Sequence, residues 1–326
     1  MIITMADGSG GKSTSDLINK VFAKKFSNPI LDMMEDSAVV EGSSRIAMTT
    51  DSFVVKPLEF AGGDIGRLCI CGTVNDLLMR GAVPKYITCG FIIEEGLESE
   101  KLERIAESAA ATAKEAGVII VAGDTKVIEG DGGLCINTAG VGFVPENIDI
   151  SASNCQPGDA VIVSGNMGDH HAAILSYRMG IENQIKSDNA PLTDMVRNLL
   201  GEGINVHAMR DVTRGGLGTV LNELADASGL AVTIEEKKIP VDKQVASFCR
   251  ILGLDVLHMG NEGKLVAVVP GTEAERACDI IRNSRYGSNA MVIGTVGKGS
   301  GVTLITGLGG QRSVGVLIGE GLPRIC

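Results

Sequence analysis

Apolar positions three and four residues apart, Leu102, Ile105, Ala106, Ala109 and Ala113, predict an amphipathic helix over Ser99–Ala116, with Gly117 as its stop. A weaker pattern of the same period, Leu17, Ile18, Val21 and Phe22, marks a helix after the polar glycine stretch Asp7–Ser13. The segment GDIGRLCICGTVNDLLMRGA is rich in small residues, which predicts a helix packed closely against a sheet. Short β-type runs lie around these helices: RIAMTTDSFVV, KYITCGFIIEE, VIIVAGDTK and LCINTAGVGFV. The turn residues of NCQPGD (154–159) break the pattern, and beyond them it restarts. AVIVSG, VHAMRD, AVTIEE, KLVAVVP and AMVIGTV read as strands. Helices are expected near Asp169–Met179, Pro191–Leu200, Val241–Leu252 and Glu273–Asn283, and another carries Leu217, Leu221 and Leu224. Both halves mix strands and helices, so the expected fold class is α+β, in two domains over 1–154 and 155–306, followed by a flexible Gly-rich tail over 307–326.

Composition narrows the function classes. The 43 glycines show no short repeat and imply many tight turns and close backbone approaches. With no Trp and 3% aromatics, the core has to be built from Ile, Val, Leu, Ala and Met. A net charge of −11 without a Lys/Arg-rich run argues against a nucleic-acid partner, because phosphate-backbone affinity needs clustered cations. An anionic ligand would need main-chain N–H groups or a metal to offset the negative field. No window offers the roughly 20 apolar residues of a membrane span, and MIITMADGSGGKST is not a secretory leader. The eight cysteines form no C-x-x-C pair, and most sit in apolar runs. Seven read as small buried residues in a reducing compartment, which points to the cytoplasm.

Four features carry candidate chemistry. Ala6-x-x-x-x-Gly11-Lys12-Ser13 satisfies a relaxed P-loop pattern, yet only five residues precede it, too few for a buried central strand. A Gly-rich lid over phosphates, using Gly8, Gly10, Gly11 and Lys12, and a plain N-terminal loop both stay open. Asp36, Asp51, Asp76, Asp124 and Asp211 each follow or interrupt an apolar segment. One such Asp alone is usually a cap or turn former, but five together suit Mg²⁺ bound with nucleotide phosphates. Arg210-Asp211-Val212-Thr213-Arg214-Gly215-Gly216 takes a strand through a Gly–Gly turn into a helix N-terminus; that is a competent phosphate site or simply a tight turn. The last feature is the final residue, Cys326, on the Gly-rich segment GEGLPRIC: a reactive thiol on an arm, or an incidental end.

Taken together, GSGGK (8–12), EDSAVV (35–40), the block TTDSFVVKPLEFAGGDIGRLCICGTVNDLLMRGAVP (49–84), AGDTKV (122–127), RDVTRGGLGTVLNELA (210–225), NEGKLV (261–266) and terminal PRIC resemble the HypE family of hydrogenase maturation proteins. That family is a branch of the aminoimidazole-ribonucleotide-synthetase (PurM-like) superfamily. The resemblance runs nearly end to end, and the terminal cysteine separates this branch from its relatives. It implies two PurM-like domains, a homodimer paired through the N-terminal one, and MgATP in the cleft between domains. It also implies ATP-dependent dehydration of an S-carbamoyl group on Cys326 to a thiocyanate, with Lys126 and Glu262 as candidate proton-handling residues. The carbamoyl group would come from the carbamoyltransferase HypF, and the cyano group would pass to iron on the HypC–HypD complex. One departure is visible: Asp7 stands where the family usually has His. Two other readings stay open, a sibling ATP-dependent enzyme acting on a small molecule and a nucleotide-binding scaffold without turnover.

Overall fold

The computed structural model describes residues 2–8, 11–33 and 37–316; Gly10, Asp36 and Cys326 lie outside the described residues. After a 3-10 turn at Met5–Gly8, the helical segment α1 (Gly11–Leu17) continues through a π-helical stretch, Ile18–Ala23, into α2 (Lys24–Phe26). Its apolar stripe presses Phe22 and Phe26 onto Phe91, with ring centroids 4.4 and 6.3 Å away. Among the described residues no buried strand precedes it: Ile2 makes a single antiparallel bridge to Glu98, where a P-loop needs a buried central strand.

The first domain is a four-stranded sheet in the order β1 (Ile46–Phe53), β6 (Leu134–Phe143), β4 (Val83–Glu94), β5 (Ile119–Ile128). A short ladder, β2 (Glu59–Phe60) with β3 (Gly63–Asp64), leads into α3 (Ile65–Met79). Asp64 caps α3 by accepting from Arg67 N–H at 2.9 Å. Helix α4 (Ser99–Ala116) carries the chain from β4 to its parallel neighbour β5, and Gly117 closes it at φ 75°. Both helices cover one face of the sheet. The closeness of α3 follows from small residues: a side chain at Gly140 would meet Thr73 at 2.6 Å, and one at Gly72 would meet Phe53 at 2.8 Å.

The second domain is a seven-stranded sheet: β13 (Gln311–Val314), β12 (Gly301–Ile305), β9 (Ala231–Glu235), β11 (Met291–Gly297), β7 (Asp159–Val163), β10 (Leu265–Pro270), β8 (Ala208–Asp211). All five residues of β7 are buried, as expected of a central strand covered on both faces. One face packs α7 (Gly216–Ser228) through Leu217, Leu221 and Leu224. The other packs α6 (Thr193–Gly201) and α9 (Ala274–Asn283), and its core is continuous with that of the first domain. Helices α5 (Asp169–Arg178) and α8 (Lys243–Leu252) build a smaller cluster around Phe248. The sequence pattern places a tail from residue 307, but Gln311–Val314 pairs antiparallel with β12 as an edge strand. The second sheet therefore includes Gln311–Val314, held by main-chain pairing that the polar sequence QRSV does not announce.

Candidate active site

Three of the expected carboxylates converge where the two domains meet. Asp51 lies on β1 and faces α3; Gly72 leaves it room, since a side chain there would stand 3.5 Å from Asp51 Oδ2. One turn further along α3, Asp76 accepts from Thr49 Oγ1 at 2.7 Å. Asp211 ends β8, opposite Leu265 of β10. Burial pushes all three carboxyls up from their ordinary values, and repulsion from neighbouring carboxylates adds to it for Asp76 and Asp211. Asp211 rises to about 7, first from burial and then from the nearby Asp76 and Asp51 charges. Arg210 and Arg214 partly offset this, yet neither makes an ion pair with the trio among the described residues. Such a trio lacks positive charge, and its hard oxygen donors suit a divalent cation. Among the described residues no three His, Cys, Asp or Glu side chains form a ready-made metal cage. A cation here would complete its shell with ligand oxygens and water.

Beside the trio, Gly215 (φ 79°) and Gly216 (φ 64°) turn the chain into α7. A side chain at Gly216 would come 2.7 Å from the backbone of Leu257, His258 and Met259. That glycine therefore serves close packing of the helix start against a loop. Glu262 sits on that loop's continuation and is 3% exposed. Asn261 N–H donates to Val212 O at 2.8 Å and Val212 N–H to Lys264 O at 2.9 Å, which ties the Glu262 loop to the residue after Asp211. Asn75 of α3 reaches across, its amide donating to Glu262 O at 3.4 Å and Ala190 O at 3.1 Å.

Asp124 and Lys126 do not join this group. They lie on β5, at the far edge of the sheet from β1, about 14 Å away at ordinary strand spacing. Asp124 also points to the open face, whereas Asp51 points to the helices. Lys126 Nζ is 2.7 Å from both Asp124 oxygens, a hydrogen-bonded pair that holds the Asp124 carboxyl below its usual range. Gly8 packs against this edge, where a side chain would meet Val127 at 2.6 Å. Lys12, on α1, is exposed nearby. Between the Gly loop and the sheet lies a cavity of about 380 Å³, lined by Phe22, Phe26, Cys89, Phe91 and Ile120 and rimmed by Asp124 and Lys126. Asp7 accepts from Thr4 N–H at 2.9 Å and Thr4 Oγ1 at 3.1 Å, so it closes the preceding turn. The residues proposed for one site thus fall into two half-sites on a single chain. The family resemblance named Glu262 a candidate; nothing local in NEGKLV marks it, and its burial is a tertiary property.

Two mixed domains around an interdomain acidic cluster define a member of the AIR synthase related class, whose N-terminal and C-terminal domain models match residues 34–144 and 156–307. The chain is 46% identical over 332 residues to carbamoyl dehydratase HypE of Azotobacter vinelandii, covering 99% of this chain and 97% of that protein. A crystal structure of hydrogenase maturation protein HypE in complex with ATP superposes with a TM-score of 0.95 at 42% identity, over 99% of both chains. A HypE–HypF complex contains a chain that matches with a TM-score of 0.82 at 46% identity, over 92% of this chain and 99% of that one. The chain belongs to the HypE carbamoyl dehydratase family, whose work is hydrogenase maturation.

Proposed function

We propose that the chain dehydrates its own S-carbamoyl-Cys326 to S-cyano-Cys326 with MgATP, and that the cyano group supplies a ligand of a hydrogenase iron. The observation that carries this is the half-buried trio Asp51, Asp76 and Asp211 beside the buried Glu262, in a chain whose relatives are named carbamoyl dehydratases and include an ATP complex. The trio would hold Mg²⁺ together with phosphate oxygens. The metal supplies charge neutralisation at the phosphates.

The chemistry sets the remaining roles. A thiocarbamate oxygen is a poor leaving group, and phosphorylating it makes phosphate the group that departs. Forming the nitrile then requires both nitrogen-bound protons to leave. Glu262 is the buried acceptor for a proton, and Lys126 is the cation for the phosphate end. The apolar cavity under the Gly loop is sized for the nucleotide base, with Asp124 and Lys126 at its mouth.

These two groups serve one nucleotide only if copies of the chain combine. The open face of the first sheet supports a homodimer: Met48 is 74% exposed and Ile46 50%, with Ile92 on the same face. Pairing through that face puts Asp124 and Lys126 into the interface. HypF as carbamoyl donor rests on the HypE–HypF complex of the relative. The HypC–HypD complex as cyano acceptor, and a cytoplasmic setting, rest on the sequence resemblance; no helix among the described residues is long and apolar enough to cross a membrane.

Cys326→Ala tests the carrier role. The variant should bind MgATP within about twofold of wild type and fail to support hydrogenase maturation. Maturation by the alanine variant would refute the carrier role and favour a sibling enzyme acting on a free substrate.

A further inference from the structure

Asp188 is a buried carboxylate that the chemistry above does not use, and every donor it receives comes from one loop. Its side chain is 4% exposed. Oδ1 accepts from Glu262 N–H at 3.0 Å, and Oδ2 accepts from Asn261 Nδ2 at 2.7 Å, with Lys264 Nζ at 3.4 Å from the same oxygen. The loop is pinned on its other sides as well. Asn261 Oδ1 accepts from Gly168 N–H at 3.0 Å, and Lys264 Nζ donates to Gly263 O at 3.0 Å. A side chain at Gly263 would stand 2.0 Å from Asp188 O, so the two backbones interlock.

Buried hydrogen bonds to a charged acceptor are roughly twice as strong as neutral ones, enough together to fix a short loop in one arrangement. A proton acceptor gains from that, because catalytic groups have to be held to within roughly 0.5 Å of the productive geometry. Asn75 grips the Glu262 carbonyl from the first domain, while Asp188 grips the Glu262 amide from the second. The peptide units on both sides of the Glu262 α-carbon are therefore held, by different domains.

We infer that Asp188 is a positioning residue: it sets the direction of the Glu262 carboxylate toward the carbamoyl N–H, acting only through the backbone of residues 261–264. It touches no reactant itself. This rests on Glu262 being the proton acceptor proposed above.

The test uses the full-length chain carbamoylated on Cys326 and followed through one turnover with MgATP. Asp188→Asn keeps the shape and removes the charge. It should slow dehydration about tenfold or more while half-saturating ATP stays within about twofold. In a Glu262→Gln background, whose slow residual turnover is followed by mass spectrometry, Asp188→Asn should add less than about twofold, because the two residues act as one unit. Asn261→Ala, which removes one donor and leaves the carboxylate in place, should slow the reaction by a smaller factor, about three- to tenfold, again only when Glu262 is present. If Asp188→Asn does not fold, this second variant decides. A wild-type rate in the deciding variant, an equal loss in the Glu262→Gln background, or a loss confined to ATP affinity would overturn the inference. A wild-type rate in Glu262→Gln alone would instead remove the proton-acceptor reading on which it rests.

Discussion

Asp169 starts helix α5 close to Asp188, and its Oδ1 has no hydrogen-bond partner among the described residues. Burial, then the Asp188 charge, raises its carboxyl from 3.8 to about 7, with Lys264 pulling the other way. The folded chain keeps this proton over a range of pH where the unfolded chain has released it. Stability therefore falls as pH rises from about 4 to about 7, and the full penalty applies above 7. Asp169→Asn mimics the protonated form at every pH. Its Tm advantage over wild type should be larger at pH 8 than at pH 5; an equal difference at both would show that Asp169 is not held protonated by the fold. Legibility in sequence varied sharply at this scale. Asp51, Asp76 and Asp211 stood out because each interrupts an apolar run. Asp188, in QIKSDNAP, looked like any loop residue, because what distinguishes it is three donors from residues more than 70 positions away.

The elements themselves were largely written in their apolar spacing. The helix Ser99–Ala116 agrees with its predicted bounds, since a strong stripe and a C-terminal glycine both mark it. Strand order was not legible. Nothing local says that β5 lies at the opposite edge from β1, so five carboxylates read as one set, although Asp124 belongs to another edge and another face. The edge strand Gln311–Val314 was missed because only Val314 is buried and no period shows. The Gly215–Gly216 turn read as either a phosphate cradle or a tight turn, and the packing gives Gly216 a clear structural duty. Gly216→Ala meets both a left-handed backbone and three backbone contacts at 2.7 Å. It should cost at least about 2 kcal/mol, read as a lower urea midpoint with an unchanged slope. Wild-type stability would mean that the α7 start has room to move.

At the scale of the whole molecule, the sheet of the first domain separates the two half-sites, one at the interdomain trio and one at the β5 edge. On one chain the width of that sheet separates them, and the homodimer proposed above would combine them across its open face. Met48→Arg places a charge in the middle of that face and should convert the proposed dimer to a monomer in light scattering. Nucleotide affinity should fall by at least about tenfold along with it. A variant that stays dimeric with full affinity would move the interface elsewhere.

In the mechanism proposed here, the sulfur of residue 326 carries the group on which ATP acts. Intact-mass measurement of the chain, incubated with carbamoyl phosphate, ATP and its carbamoyltransferase, reads this directly. One carbamoyl group should be gained and map to Cys326, and with MgATP one water should then be lost. A carbamoyl adduct that never loses water, or none on Cys326 with an active transferase present, would contradict it.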